Sequence, residues 1–251
     1  MKKTLFLLLS FFSAAALAQT CEQVDNELYK GLREMVRFSQ FGEEPDEDKL
    51  AVSTQKFMSE LKNYLLETDS LSCDFNRSAP DELLVISSAD KKVLAFSWDN
   101  QTGGTMRDYD AVIQFIDKSG KLSLKELDGI DYIENIFTTE LNNQTYYWLI
   151  SYSISDSQTR GSGATLYQIN ERGFVPVDLI KTKKLTSQIG FSYSLLDGDH
   201  VQSNRHFRYD NQTKTLSFPV VIATDENLIG KVTDKRIEYR FDGQYFVRVK
   251  N

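Results

Sequence analysis

Histidine and cysteine are scarce in this 251-residue chain, with two of each: His200 and His206, Cys21 and Cys73. Zinc sites draw on several such ligands, and thiol catalysis needs a cysteine beside a base, so neither chemistry has an evident constellation. The two histidines lack the i, i+4 spacing of a metal-binding helix, and both are remote in sequence from either cysteine. No G-x-S-x-G elbow occurs, which removes the strand-to-helix turn that presents a nucleophilic serine. The nearest stretch, Arg160-Gly161-Ser162-Gly163, reads as a flexible loop after a strand ending near Ile154. Past the first residues no apolar run approaches the ~20 residues that a spanning helix needs, so no membrane span is expected. Positive charge is also in deficit, with 29 Lys and Arg against 36 Asp and Glu. Nucleic acid and anionic membranes are held through clusters of Lys and Arg, so neither is an expected partner. The short basic run Lys181-Thr182-Lys183-Lys184 reads as a solvated connection.

The start of the chain is the clearest positive signal. Lys2 and Lys3, the apolar run Leu5 to Phe12 and the ending Ala16-Leu17-Ala18 form a basic region, a short hydrophobic region and an A-x-A site. That pattern predicts a bacterial secretory signal peptide over residues 1–18, cleaved after Ala18, and a periplasmic or secreted mature protein. Loss of Lys2 and Lys3 would move the formal charge from −7 to −9. In an oxidising compartment Cys21 and Cys73 read as a disulfide. A loop of a little over fifty residues is worth roughly 4 kcal/mol in the chain-entropy picture, as an upper figure.

Hydrophobic periodicity divides the remainder in two. From Glu22 to Gln40, Val24, Leu28, Leu32, Met35 and Val36 recur at three- and four-residue steps, the stripe of an amphipathic helix. After the acidic Glu43-Glu44-Pro45-Asp46-Glu47-Asp48, a second helical pattern runs through Leu50, Phe57, Met58, Leu61, Tyr64 and Leu65, with Asp46 placed as its N-cap. Two such helices run antiparallel, which brings Cys21 and Cys73 to the same end. From Leu83 the period becomes two: Leu94, Phe96 and Trp98, then Trp148, Ile150, Tyr152 and Ile154, then Ile237, Tyr239 and Phe241 mark half-buried strands. Six polar turns at 89–92, 117–120, 142–145, 170–173, 210–213 and 241–244 describe an antiparallel meander of about a dozen strands. The expected fold is α+β: a disulfide-tied helical hairpin over residues 19–80 and an antiparallel β domain over 81–251, built as a sandwich, an open barrel or a small propeller.

Asn-Gln-Thr occurs at Asn100, Asn143 and Asn211, each where a turn is expected, and reads as an Asx-type turn in a bacterial chain. Asp197-Gly198-Asp199-His200 is the best local metal candidate, since Asp197 and Asp199 could offer oxygens to calcium. The residues after it do not complete a calcium loop, and a polar hairpin is the plainer reading. No cofactor is expected. Ser88-Ala89-Asp90-Lys91-Lys92, followed by Phe96-Ser97-Trp98-Asp99 and Thr102-Gly103-Gly104-Thr105-Met106, resembles a strand-turn-strand block, SxDxK…SWDxxTGGTM, of uncharacterised secreted bacterial proteins. The resemblance covers about twenty residues and implies a shared β unit with no activity attached. Physically, Gly103 and Gly104 suit positive φ or close backbone approach after a buried Trp98, and Asp99 can accept from turn amides. These features point to a non-catalytic recognition protein whose acidic loops or helical hairpin bind another envelope or secreted protein, as an inhibitor or immunity-type factor would. The alternative, motivated by 12% aromatic residues and scattered carboxylates, is an envelope carbohydrate binder or glycan hydrolase. Oligomeric state is not encoded in any pattern of this sequence.

Overall fold

A computed structural model describes residues 20–67, 71, 73, 75, 83–127, 132–195, 204–224 and 227–250. Residues 1–18, Asp197, Asp199 and His200 lie outside the described residues. Helix α1 spans Cys21–Phe38 and α2 spans Glu47–Glu67. Thr20 opens α1 with a reciprocal capping box: its hydroxyl accepts from the Gln23 amide, and the Gln23 side chain accepts from the Thr20 amide. Two orphan amides of the first turn are thereby satisfied. The stripe Val24, Leu28, Leu32 and Met35 is buried as the periodicity requires. Asp46 caps α2 by accepting from the Lys49 amide at 3.0 Å. The turn between the helices needs glycine at position 42, where a Cβ would lie 2.2 Å from the Val36 carbonyl oxygen. A disulfide joins Cys21 to Cys73, and no helix among the described residues is long and apolar enough to cross a membrane.

Among the described residues fifteen strands follow, where about a dozen were expected, in three sheets. The first runs in sequence order through β1 (Leu83–Ser87), β2 (Val93–Asp99), β3 (Tyr109–Ile116) and β4 (Leu122–Leu127). The second contains β5 (Tyr132–Leu141), β6 (Gln144–Ile154), β7 (Thr159–Asn170), β8 (Gly173–Pro176) and β11 (Gln188–Ser194), in the order β11-β7-β6-β5 with β8 also on β7. The third comprises β9 (Ile180–Lys181), β10 (Leu185–Thr186), β12 (Arg208–Asp210), β13 (Thr215–Thr224), β14 (Asn227–Phe241) and β15 (Phe246–Arg248), ordered β10-β9-β15-β14-β13-β12. Pairing is antiparallel except between β15 and β9. All six anticipated turns join consecutive strands.

Three apolar seams stack these elements into four layers. The first packs the helices on one face of the first sheet, through Leu28, Phe57 and Leu61 against Phe96, Trp98 and Val112. The second packs the other face of that sheet, with Val93, Ala95 and Ile113, on Ile136, Tyr147 and Leu149 of the second sheet. The third joins Trp148, Ile150 and Leu166 to Leu216, Tyr239 and Phe246 of the third sheet. Strand β2 is therefore buried on both faces along its length, not half-buried as its alternation suggested. The helical layer covers the face that would otherwise meet water, and Gln114 ties it down by donating to the Leu65 carbonyl of α2 at 2.7 Å.

Arg160-Gly161-Ser162-Gly163 lies inside β7, not in a loop. Small residues are needed there because β7 is flanked on both sides: Gly163 pairs with Ser151 and with Gly190, and Gly161 with Ser153 and Ser192. A Cβ on Gly161 would stand 2.2 Å from the Ser153 hydroxyl oxygen. The glycines serve close packing of side chains between strands, a role that composition alone cannot separate from loop flexibility.

Candidate functional site

The hairpin turn and the segment after Trp98 meet to form the most distinctive groove among the described residues. Trp98 is buried against α2, its ring meeting Phe57 edge-on at 5.4 Å. Its indole N–H donates to the Asn100 side-chain oxygen at 3.0 Å. Asp99 is almost buried and accepts from the Gln101 amide at 2.8 Å and the Arg107 guanidinium at 2.9 Å. The Asn100 amide donates to the Asp108 carbonyl at 2.7 Å, and the Thr102 hydroxyl to the Asp108 carboxylate at 2.7 Å. These bonds fold residues 99–108 back on themselves and hold Gln101 and Thr102 toward the helices.

Of the two roles expected for Gly103 and Gly104, positive φ or close backbone approach, Gly103 has the second: a Cβ there would stand 1.9 Å from the Met106 carbonyl oxygen, whereas one on Gly104 meets only the Gln40 amide nitrogen at 3.5 Å. Neither glycine takes a left-handed backbone; that conformation falls to Gln101, at φ 61°, where the Asp99 carboxylate bonds its amide. The Asn-Gln-Thr turns are likewise organised by the preceding aspartate at two sites: Asp99 accepts from Gln101, and Asp210 from Gln212 and Thr213. Asn100 is spent on the Trp98 indole.

Gln40, at the end of the first helix, donates to the Gly103 carbonyl at 3.3 Å and so fixes the turn beside the block. The groove between them encloses about 430 Å³. Phe38, Pro45, Leu50 and Ala51 give it an apolar wall, and Asp46, Glu47, Gln101 and Thr102 a polar one. Lys49 and Arg37 hold their cations 5.3 and 5.5 Å from the Phe38 ring centroid. Arg37 also pairs with Glu44, and that hydrogen bond holds the Glu44 carboxyl below its ordinary value. Asp46 is lowered too, chiefly by the Lys49 amide that it caps. Phe41 on the turn and Met106 on the block are exposed, at 79% and 63%. Such a surface sets an apolar slot beside the carboxylates of Asp46, which Lys49 pairs at 3.3 Å, and Glu47.

A second locus gathers tyrosines from four strands. Tyr109 lies 5.1 Å from Tyr132, and Tyr132 5.1 Å from Tyr152, centroid to centroid. Tyr193 neighbours Tyr152, and the Arg205 guanidinium sits over the Tyr193 ring at 5.5 Å. Beside them His206 Nδ1 meets Glu134 at 2.6 Å. Burial pushes the Tyr132 and Tyr193 phenols well above the usual tyrosine range, so they remain neutral hydrogen-bonding groups at ordinary pH. The sequence reading missed this stripe: each tyrosine sits on a strand phase that reads as core, and only the pairing of the sheets brings them together.

Among the described residues no three His, Cys, Asp or Glu side chains gather as a metal-holding group. No protein-family model matches the chain, and no curated protein matches it significantly.

Proposed function

We propose that this is a non-catalytic recognition protein of the bacterial periplasm or secreted space, released after residue 18, that binds another envelope or secreted protein. The observation that carries the reading is the groove at the hairpin turn, which sets an apolar slot beside Asp46 and Glu47 and exposes Phe41 and Met106 at its margins. A complementary segment presents an apolar side chain flanked by Lys or Arg, as a basic toxin or wall-active enzyme met by an immunity-type factor would. The disulfide is compatible with that address. Gln101 and Thr102 of the turn after Trp98 line the same groove, which supports counting that turn as part of the binding surface. The face-to-face seams between the sheets favour a sandwich over an open barrel or a small propeller.

Affinity capture from periplasm with the mature protein, set beside the same capture with Glu47→Lys and Ala51→Asp variants, both at exposed positions of the groove lining, tests the proposal. Retention of a defined protein by wild type and its loss with both variants is expected. Equal capture by all three would overturn the groove. The tyrosine stripe favours a second reading, binding of an envelope carbohydrate through neutral phenols and the Arg205 cation. Recovery of a defined glycan that a Tyr132→Ala change abolishes, with no protein partner, would put that reading first.

A further inference from the structure

The protein is acidic as a whole, yet its two outermost layers differ in charge. Residues 21–67, the helical layer, hold eleven Asp and Glu against six Lys and Arg; residues 227–250, from β14 to the end of the third sheet, hold six Lys and Arg against three Asp and Glu. On the third sheet, Lys235, Arg236, Arg248 and Lys250 line an open groove of about 670 Å³ in which Glu238 is the one carboxylate, with Val220 and Val249 as apolar lining. Among the described residues none of these four cations has a salt bridge. Arg236 is planted by neutral acceptors only: the Ser217 hydroxyl and carbonyl, the Asn204 side chain and carbonyl, and the His206 carbonyl. Burial and the neighbouring Arg208 lower its affinity for its proton. The groove thus sets four cations against one carboxylate, Glu238, and among the described residues none of the four is in a salt bridge.

A segment with the opposite character stands on the other outer layer. Around the hairpin turn Phe41 is exposed, and Glu43, Glu47 and Asp48 are exposed without an ion-pair partner among the described residues. We propose that the basic groove of the third sheet receives the acidic hairpin turn of a second copy of this chain, Phe41 packing toward Val220 and Val249 while Glu43, Glu47 and Asp48 face Lys235, Arg248 and Lys250. The inference rests on the reading of the hairpin turn as a docking element and names its partner. The two surfaces lie on opposite ends of the layer stack, so the contact is head-to-tail and each added copy leaves both surfaces available at the ends. One turn in one groove buries far less than a stable dimer interface, which makes the association weak, concentration-dependent and salt-sensitive.

Sedimentation of the mature, oxidised protein tests this directly. At about 20 mM salt the average mass should rise with protein concentration, and at about 0.5 M salt, where the screening length falls to roughly 4 Å, it should stay monomeric. The triple variants Lys235→Glu/Arg248→Glu/Lys250→Glu and Glu43→Lys/Glu47→Lys/Asp48→Lys should each lose at least about tenfold in association alone, and their equimolar mixture should recover it, because each supplies the charge that the other lost. All substituted residues are exposed, and native-like melting of each variant serves as the folding control. A wild-type protein that remains monomeric at low salt at all concentrations, or a mixture that stays monomeric, overturns the inference. If the hairpin variant alone then loses a foreign protein captured from periplasm, the proposed recognition function stands without self-association.

Discussion

Trp98 is where the helical layer, the first sheet and the groove are joined. Its ring is wedged against Phe57 and its indole is satisfied by Asn100, so truncation to alanine would open a cavity and release Asn100 together. Trp98→Ala is expected to cost about 3–5 kcal/mol of stability in chemical denaturation. The two glycines downstream should separate sharply. Gly103→Ala places a Cβ against a backbone carbonyl that cannot swing aside, and should lower stability by at least about 1 kcal/mol; Gly104→Ala meets the Gln40 side chain at 3.5 Å, an ordinary van der Waals contact, and should melt near wild type. Equal losses at both positions would refute the close-approach account. The carboxylates of the turn give a pH test. Glu44 and Asp46 have folded values below their ordinary ones, so their contribution to stability is fully present above the ordinary carboxylate range and lost as pH falls through the lower folded values. Carboxyl NMR titration should show both midpoints lower than those of the same groups in the unfolded chain, and Arg37→Gln should return that of Glu44 toward normal.

At the scale of single elements, the same physics explains what could be read from the sequence and what could not. Helix phasing located both helices and the Asp46 cap because a helix is a local structure whose stripe repeats within a few residues. The polar turns were legible for the same reason. Strand β7 was not, since Gly161 and Gly163 are chosen by partners in β6 and β11 and not by their own neighbours. The groove was legible only as two halves: Gln40 and Gly103 are 63 residues apart, and no local pattern records their contact. The tyrosine stripe draws on four strands and was invisible for that reason. Gly190→Val sets a side chain 2.9 Å from the Ser162 carbonyl, a fixed backbone atom, whereas Gly161→Ala meets the Ser153 hydroxyl, which can rotate. Gly190→Val should therefore cost about 1–3 kcal/mol, and Gly161→Ala less, in parallel melting experiments.

For the molecule as a whole, the stacking order decides how it should come apart. Each sheet of the middle layers contributes to two apolar seams, so removing one layer strips a buried face from the next. The helical hairpin shares its core with Phe96 and Trp98 of the first sheet, and the Cys21–Cys73 disulfide closes that hairpin across 52 residues of sequence. Cutting the bridge enlarges the conformational freedom of the unfolded chain while leaving the shared seam in place. Cys21→Ser/Cys73→Ser should therefore lower stability by as much as roughly 4 kcal/mol, about 8–16 °C in melting temperature for a chain of this size. The transition should remain single, with helical signal at 222 nm and the fluorescence of Trp148, read with Trp98 replaced by Phe, lost together, because each seam shares a sheet with the next. Helical signal that melts well before the fluorescence changes would show instead that the hairpin is an independent unit resting on the sheets.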